Sequence, residues 1–319
     1  MSTDGSDGSV VLTVSLNGLV PAVLERHRDI PGFVAELEAI GVDQVVIGEH
    51  LLQADVQHPG GVEVDLTQPF PDPFATLSAV AATTSTIRLT TGAVIAPTRS
   101  ALVLAKLAAT VDVISGGRFS LGVTSGWYET EFRAVGVPFE ERFARLDEAV
   151  AACRALWGPQ PASFEGRWTA FRDVYCQPTP IAGAALPVWY GGLVSARSAR
   201  RVAACDGWIV SEATPATDIP AGIERIAAAR AARGAPTASA GVRATVPRRV
   251  LGPPAAAVGL GAAAEMIRAV IGELAAAGAT EVVVPVGEYV DGTAAALQLL
   301  SMLVDPAPAV VTATRDRGR

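Results

Sequence analysis

Basic charge is scarce in this chain, and lysine is almost absent. The 319 residues carry 25 Lys and Arg against 32 Asp and Glu, which gives a net charge of −7. Nucleic acids and anionic membrane surfaces bind basic patches, so this balance argues against either as a partner. Lys106 is the only lysine, and it lies in an apolar helical pattern, ALVLAKLAATVDVI, away from any strand end. A Schiff-base mechanism is therefore not expected.

Cysteine and long apolar runs are also scarce. Cys153, Cys176 and Cys205 are widely spaced and form no CxxC motif, which is typical of a reducing compartment and argues against structural zinc. The start of the chain, MSTDGSDGSV, lacks the basic and apolar parts of a signal peptide. No run of about 18 uncharged apolar residues occurs. We therefore expect a soluble, cytoplasmic protein without a metal site.

Hydrophobic residues make up 50% of the chain and form short β-branched runs that alternate with Ala-rich helical stretches. Such runs suit strands buried on both faces of a parallel sheet. We expect strands at 10–16, 44–48, 87–94, 118–123, 187–190, 207–210, 242–250 and 281–285. We expect helices at about 31–40, 73–84, 99–114, 139–157, 195–205, 217–233, 260–277 and 292–304.

Eight strands alternating with eight helices predict an α/β fold, a (β/α)8 TIM barrel. A doubly wound sheet is the alternative, but no GxGxxG motif follows the first strand. The barrel domain is expected at 10–305, between a disordered N-terminus at 1–9 and a flexible tail at 306–319. Two segments exceed ordinary loop length. Residues 49–72 follow strand 2, and residues 158–186 form an insertion before strand 5 that can make a small hairpin.

His50 is the main candidate for chemistry, because a barrel places catalytic groups where its strands end. It follows strand 2 directly and can donate or accept a proton near neutral pH. Glu49 is the second candidate, although its side chain points the opposite way if the strand is still extended. From position alone, a loop histidine that only completes a hydrogen-bond network is equally consistent.

Small and polar residues follow the next three strands. Gly92–Ala93 can leave a flat surface for a planar ring, or can simply be a bulge that helps to close the barrel. After strand 4, Thr124, Ser125 and Gly126 supply hydroxyl and N–H groups, and Trp127 can line an aromatic ligand. Glu129 and Glu131 are expected to be solvated carboxylates at a helix start. After strand 5, Gly191–Gly192 with Ser195 and nearby arginines can bind a phosphate, or can be a capped turn.

These motifs occur in an order that resembles the luciferase-like monooxygenase superfamily. The resemblance is carried by VDQVVIGEH, by TTGAVIAPTRSALVLAKLAATVDVISGGRFSLGVTSGWYETEF and by PVWYGGLVSARSARRVAACDGW, and it extends over about residues 10–305. The SGGR–strand–LGV–x–x–GW run is closest to the branch that uses the deazaflavin coenzyme F420. This resemblance implies the same barrel fold.

The resemblance also implies roles for individual residues. His50 lies near the reactive atom of the cofactor ring, and Gly92–Ala93 forms a strand-3 bulge with a cis peptide beneath it. The implied cofactor-binding set is Gly92, Ala93, Val94, Thr124, Ser125, Gly126, Trp127, Tyr190, Gly191, Gly192, Leu193 and Ser195. Leu193 departs from the hydroxyl residue common in relatives. Trp127 replaces a glutamate of sugar-phosphate-oxidising relatives, which disfavours a glucose-6-phosphate-type activity.

Three functions are consistent with these residues. The first is an F420-dependent oxidoreductase that transfers a hydride to or from a small organic substrate, with His50 moving the proton. The second is an FMN-dependent monooxygenase supplied by a separate reductase. The third is a non-catalytic accessory family member. The resemblance implies a homodimer, and the composition of the 49–72 loop favours an uncharged or apolar substrate.

Overall fold

The computed structural model describes residues 10–53, 66–234, 240–247 and 259–304. The expected disordered N-terminus and C-terminal tail lie outside these residues. So do the centre of the 49–72 loop, His58 and the last three residues of the strand expected at 242–250. Within the described residues, no helix is long and apolar enough to cross a membrane.

The described strands close into a parallel barrel of eight, as the βα alternation predicts. They are Val11–Ser15 (β1), Gln44–Ile47 (β2), Arg88–Thr91 continued by Val94–Ile95 (β3 and β4), Phe119–Thr124 (β5), Val188–Gly192 (β8), Gly207–Val210 (β9), Gly241–Thr245 (β10) and Glu281–Val284 (β11). Pairing of β1 with β11 and of β3 with β5 completes the ring. This closure excludes the doubly wound alternative, which would leave two free sheet edges.

Helices surround the barrel. They are Ile30–Ala39 (α1), Pro73–Thr83 (α2), Ala101–Ser115 (α3), Glu129–Ala134 (α4), Arg142–Trp157 (α5), Ala199–Val202 (α6), Ile219–Ala231 (α7), Leu260–Ala276 (α8) and Thr293–Val304 (α9). Local chemistry sets the ends of α3: the Ser100 hydroxyl accepts from the Leu102 N–H, and Gly116 ends the helix at φ 70°. Helix α4 was expected only as a helix start at Glu129 and not as one of the eight helices, and α6 is shorter than the helix expected at 195–205.

The insertion before β8, the fifth strand of the barrel, forms the expected hairpin. Its antiparallel strands are Ala162–Glu165 (β6) and Ala170–Val174 (β7). The carboxylate of Glu148, on α5, accepts hydrogen bonds from the backbone N–H groups of Arg167, Trp168 and Thr169 at the hairpin turn. The turn is therefore attached to the helix that precedes it.

The third barrel strand is interrupted at Gly92–Ala93, and Thr91 bridges the interruption. The Thr91 hydroxyl donates to the carbonyl of Gly122 and accepts from its N–H, both at 2.8 Å. A Cβ on Gly122 would come within 2.0 Å of the Thr91 carbonyl oxygen, so only glycine fits there. The expected bulge is thus real, and a side chain replaces the missing backbone pairing.

A charged and polar layer fills part of the barrel interior. Arg243 is 1% exposed, and its Nε lies 2.6 Å from Oε2 of Glu281 on the neighbouring strand. Its Nη1 donates to Thr90 at 3.1 Å, and its guanidinium lies 4.4 Å from the centroid of the Trp189 ring. Gln44 donates to the same Glu281 oxygen at 3.0 Å. The strands are therefore joined by side-chain contacts as well as by backbone hydrogen bonds.

Candidate functional site

His50 lies where the backbone leaves β2, at the end of the barrel that carries the βα loops. Three aromatic rings meet its imidazole edge-on: Phe70 at 4.9 Å, Trp127 at 5.7 Å and Tyr128 at 6.4 Å between centroids. Trp127 and Tyr128 stack on each other. The side chain of His50 stays 21% exposed, and among the described residues no hydrogen bond to its Nε2 is found. We call these three rings the aromatic box.

Glu131 contacts the other nitrogen of the same imidazole. Its Oε1 lies 3.3 Å from His50 Nδ1 and accepts a 2.6 Å hydrogen bond from the Leu51 N–H. The expectation that Glu129 and Glu131 are both solvated is wrong for Glu131. The side chain of Glu129 is 62% exposed, whereas that of Glu131 is 0% exposed. Two residues apart on a helix point to nearly opposite sides, so a packed α4 must bury one of them.

Glu49 faces strand 3. Its Oε2 accepts from the Ile95 N–H at 2.8 Å, and its Oε1 pairs with Arg99. Protein groups therefore engage both oxygens. The opposite directions of Glu49 and His50 follow the alternation expected of an extended chain.

Small residues of three adjacent strands meet at the strand ends that follow β2 around the barrel. A Cβ on Gly191 would lie 3.4 Å from Ala93 Cβ and 3.7 Å from Thr124 Cβ. Gly92 itself excludes a side chain, since a Cβ there would come within 2.3 Å of Val46. The Gly92–Ala93 peptide is cis. Gly92, Ala93 and Thr124 are partly accessible, whereas the predicted cofactor contact Val94 is fully buried in the core. We call Ala93, Thr124 and Gly191 the small-residue surface.

The turn after β8 combines glycines with an internally bonded serine. Gly192 adopts φ 147°, and its carbonyl accepts from Trp208 Nε1 at 2.8 Å. The Ser195 hydroxyl accepts from the Ser198 N–H, and its own N–H donates to the Ser198 hydroxyl. The N-cap of α6 is Ser198, so Ser195 stabilises the preceding turn instead of capping the helix as expected. Leu193 is 60% exposed. Ser195 therefore supports the turn through bonds within the protein.

The family model for luciferase-like monooxygenase matches residues 8–275. The chain belongs to the luciferase-like monooxygenase family. It is 32% identical over 187 residues to an F420-dependent glucose-6-phosphate dehydrogenase of Amycolatopsis mediterranei, covering 57% of this chain and 53% of that protein. It is 34% identical over 134 residues to an FMNH2-dependent dimethylsulfone monooxygenase of Pseudomonas putida, covering 41% and 36%.

The fold of this luciferase-like chain also matches solved structures. The monooxygenase RslO1 of Streptomyces bottropensis superimposes with a TM-score of 0.74 at 21% identity, covering 92% of this chain and 97% of that one. Members of the family are oxidoreductases or monooxygenases. Of the two relatives named above, one depends on F420 and the other on FMNH2.

Two of the predicted cofactor-binding residues, Tyr190 and Gly126, are buried and pack beneath the site. Tyr190 is buried, and this burial raises the pKa of its phenol, while the charge of Arg201 and a hydrogen bond with Ser125 act in the opposite direction. Gly126 adopts φ 74°, and a Cβ there would come within 2.8 Å of Phe132 on α4. Gly126 thereby lets α4 approach β5 closely, which brings Glu131 to His50.

Arg142 was not predicted from sequence, because the arginines that follow the Gly191–Gly192 turn in the chain are Arg197, Arg200 and Arg201. The Arg142 guanidinium lies 3.8 Å from the centroid of Phe139 and 4.3 Å from that of Phe143. Its Nε is buried without a hydrogen-bond partner among the described residues. Burial lowers the pKa of its guanidinium, and the electrostatic effect of Tyr190 opposes this. Arg201, in contrast, is paired with Asp147. Arg142 begins α5, inside the helix expected at 139–157, where a charged residue is ordinary and does not indicate a site.

A cavity of about 250 Å³ lies beside this site, between residues 96–101, α5 and the hairpin turn at Trp168. Its lining includes Arg99 but neither His50 nor the small-residue surface. In the ranges that the structure describes, no group of three or more His, Cys, Asp or Glu side chains is placed to hold a metal ion.

Proposed function

We propose that this protein is an F420-dependent oxidoreductase that transfers a hydride between the deazaflavin and a small organic substrate. One observation carries the proposal. His50 follows β2, and no described residue binds its Nε2. The small-residue surface lies on the three strands that come next in the barrel. A ring cofactor and its substrate need a group that transfers a proton and a flat surface on which the ring can lie. His50 and the small-residue surface supply these at adjacent strand ends.

The residues present fit a ring of this kind. Side chains larger than those of Ala93, Thr124 and Gly191 would cover the small-residue surface. The Gly191–Gly192 turn and Arg142 are the groups that would hold a phosphate, since Arg142 Nε has no hydrogen-bond partner among the described residues. When bound, a deazaflavin carries carbon in place of the reactive flavin nitrogen, so it exchanges hydride and does not readily activate oxygen.

The protein's own residues supply placement and proton transfer. His50 Nε2 donates or accepts the proton that accompanies the hydride. The aromatic box limits access of water to this nitrogen. The Glu49 carboxylate accepts a hydrogen bond from the Ile95 N–H and pairs with Arg99, and these contacts fix the segment that follows Ala93. We therefore propose a positioning role for Glu49, which has both oxygens engaged, in place of the catalytic role expected from sequence.

An FMN-dependent monooxygenase is the second candidate, and two observations favour it. The chain contains a single lysine, so few ammonium groups are present to bind the acidic tail of F420. The Pseudomonas putida relative, 34% identical, uses FMNH2. In this case a separate reductase supplies the reduced flavin to the same platform.

Titration of the purified protein with each cofactor, oxidised and reduced, tests the choice by fluorescence. We expect micromolar or tighter binding of F420 and weaker binding of FMN. Tight FMN binding without affinity for F420 would replace the first function by the second. If neither cofactor binds, the protein is an accessory family member. Sedimentation analysis of the same samples tests the homodimer that we propose on the family resemblance.

A further inference from the structure

We propose that Glu131 is a positioning residue that selects the tautomer of His50, holding its proton on Nδ1 and leaving the lone pair on Nε2. The kinetic consequence rests on the proposed function, but the tautomer does not. The observation behind the proposal is the meeting of a fully buried carboxylate with one nitrogen of a partly exposed histidine, at 3.3 Å.

Glu131 is held in place independently of His50. The Leu51 N–H donates to Glu131 Oε1 at 2.6 Å, which anchors the carboxylate to the residue that follows the histidine. Phe132, the next residue on α4, is fully buried against Gly126. The same oxygen that Leu51 binds is the one that faces His50 Nδ1. An acceptor fixed in this way leaves the imidazole one favourable arrangement, in which Nδ1 is the donor.

The carboxyl group of Glu131 has few other hydrogen-bond or ion-pair partners. Among the described residues, no arginine or lysine forms an ion pair with it, and its Oε2 is buried without a hydrogen bond. A buried carboxylate without compensation is costly, so a donor on His50 Nδ1 stabilises it. Glu129, two residues earlier, is exposed and pairs with Arg133 instead. Only one of the two acidic residues of α4 is placed to act on His50.

The consequence concerns the free nitrogen. With Nδ1–H directed at Glu131, the lone pair of Nε2 is available to take a proton, and a proton that arrives there leaves the imidazolium beside a carboxylate. With the other tautomer, Nε2 carries hydrogen and cannot accept. Loss of a carboxylate that fixes the tautomer of a catalytic histidine can lower kcat by up to about 10⁴-fold. Glu131 thus controls the direction in which His50 can move a proton.

Histidine labelled with ¹⁵N makes the tautomer measurable, because the chain has only three histidines. In the cofactor-free protein, at a pH where the ring is neutral, the two-bond ¹⁵N–¹H pattern of His50 should show Nδ1–H. Single replacements of His27 and His58 by Gln assign the signals. A pattern of Nε2–H in the unmodified protein would overturn the proposal, whatever cofactor the protein uses.

Three variants complete the test. Glu131→Met should lose the Nδ1–H tautomer. Glu131→Gln should keep it, with the Nδ1 proton resonance moved upfield, because an amide oxygen is a weaker acceptor than a carboxylate. Glu129→Gln should change nothing. If Glu131→Met does not fold, the Gln variant still decides, since an unmoved Nδ1 proton resonance contradicts the contact.

Steady-state kinetics, measured with whichever of F420 and FMN binds, provide a second test. We expect Glu131→Met, which loses the Nδ1–H tautomer, to lower kcat by about tenfold or more and to leave cofactor affinity nearly unchanged. Glu131→Gln, which keeps the tautomer, should lower kcat less. A fall in affinity with unchanged kcat would show that Glu131 only supports the fold of the site, and the proposal would fail. Because the tautomer is read without cofactor, failure of the F420 assignment leaves this result intact.

Discussion

Replacement of Arg243 by Met should destabilise the barrel strongly, because it leaves Glu281 charged and buried. The two side chains are adjacent on β10 and β11, with Arg243 Nε 2.6 Å from Glu281 Oε2. After the replacement, Glu281 keeps only Gln44 from this cluster as a hydrogen-bond donor. Removal of one partner from a buried pair typically costs about 3–5 kcal/mol in free energy of unfolding. The lost contacts with Thr90 and Trp189 act in the same direction.

A double-mutant cycle separates the charge effect from the loss of packing. We expect Glu281→Gln to be destabilising as well, because it leaves Arg243 buried without its counter-charge. The double variant Arg243→Met/Glu281→Gln should lose less than the two single losses added together, by about 1–3 kcal/mol. Equilibrium unfolding in urea, followed by circular dichroism, measures all four proteins.

The matched control is Arg133→Met on α4. Arg133 lies 3.6 Å from Glu129, but both side chains are more than half exposed. An exposed pair of this kind contributes about 0–1 kcal/mol. If Arg243→Met costs no more than this control, or if the two losses simply add in the double variant, then the buried pair does not stabilise the barrel as argued.

Three further predictions concern the site and acid stability. His50→Ala should lower kcat about 100-fold or more with little change in cofactor affinity, whereas the same change at exposed His27 should not; equal kcat values would make His50 structural. Gly191→Val should weaken cofactor binding about tenfold or more by covering the small-residue surface, unlike Gly32→Ala, and unchanged titration curves would contradict the platform. Burial raises the pKa of Glu38, but hydrogen bonds from backbone N–H groups outweigh this and bring it to about 2. The ionised Glu38 therefore stabilises the fold above pH 4.5, and this stabilisation is lost as the pH falls towards 2. After allowance for solvent screening, Glu38→Gln should lower the free energy of unfolding by about 1–2 kcal/mol at pH 7 and leave it nearly unchanged near pH 2. An equal loss at both pH values would contradict this prediction.

The barrel could be predicted from sequence because its strands are apolar runs ended by turn residues. The run QVVI predicts β2, and the Gly116–Gly117 pair marks the end of α3 before β5. Gly92–Ala93 was expected to interrupt the third strand, and β3 and β4 are separated there. These features depend on local chemistry that the sequence states directly.

Other features depend on contacts between distant parts of the chain. Arg243 lies in a strand expected to be buried, and only its pairing with Glu281, 38 residues away, explains why a charge is tolerated there. Helix α4 has six residues, too few to show a helical period, so the burial of Glu131 was not expected. Arg142 begins the expected helix α5, and only its contacts with Phe139 and Phe143 distinguish it from an ordinary surface arginine.

The aromatic box also has an optical consequence. The indole of Trp127 lies 5.7 Å from His50 and stacks on Tyr128 at 5.3 Å between centroids. Trp127 also follows Thr124 of the small-residue surface by three residues, so we expect its emission to change when a conjugated ring occupies that surface. A Trp127→Phe variant isolates this signal from those of the other tryptophans. The protein thus carries its own reporter of occupancy, at the position where binding has to be observed.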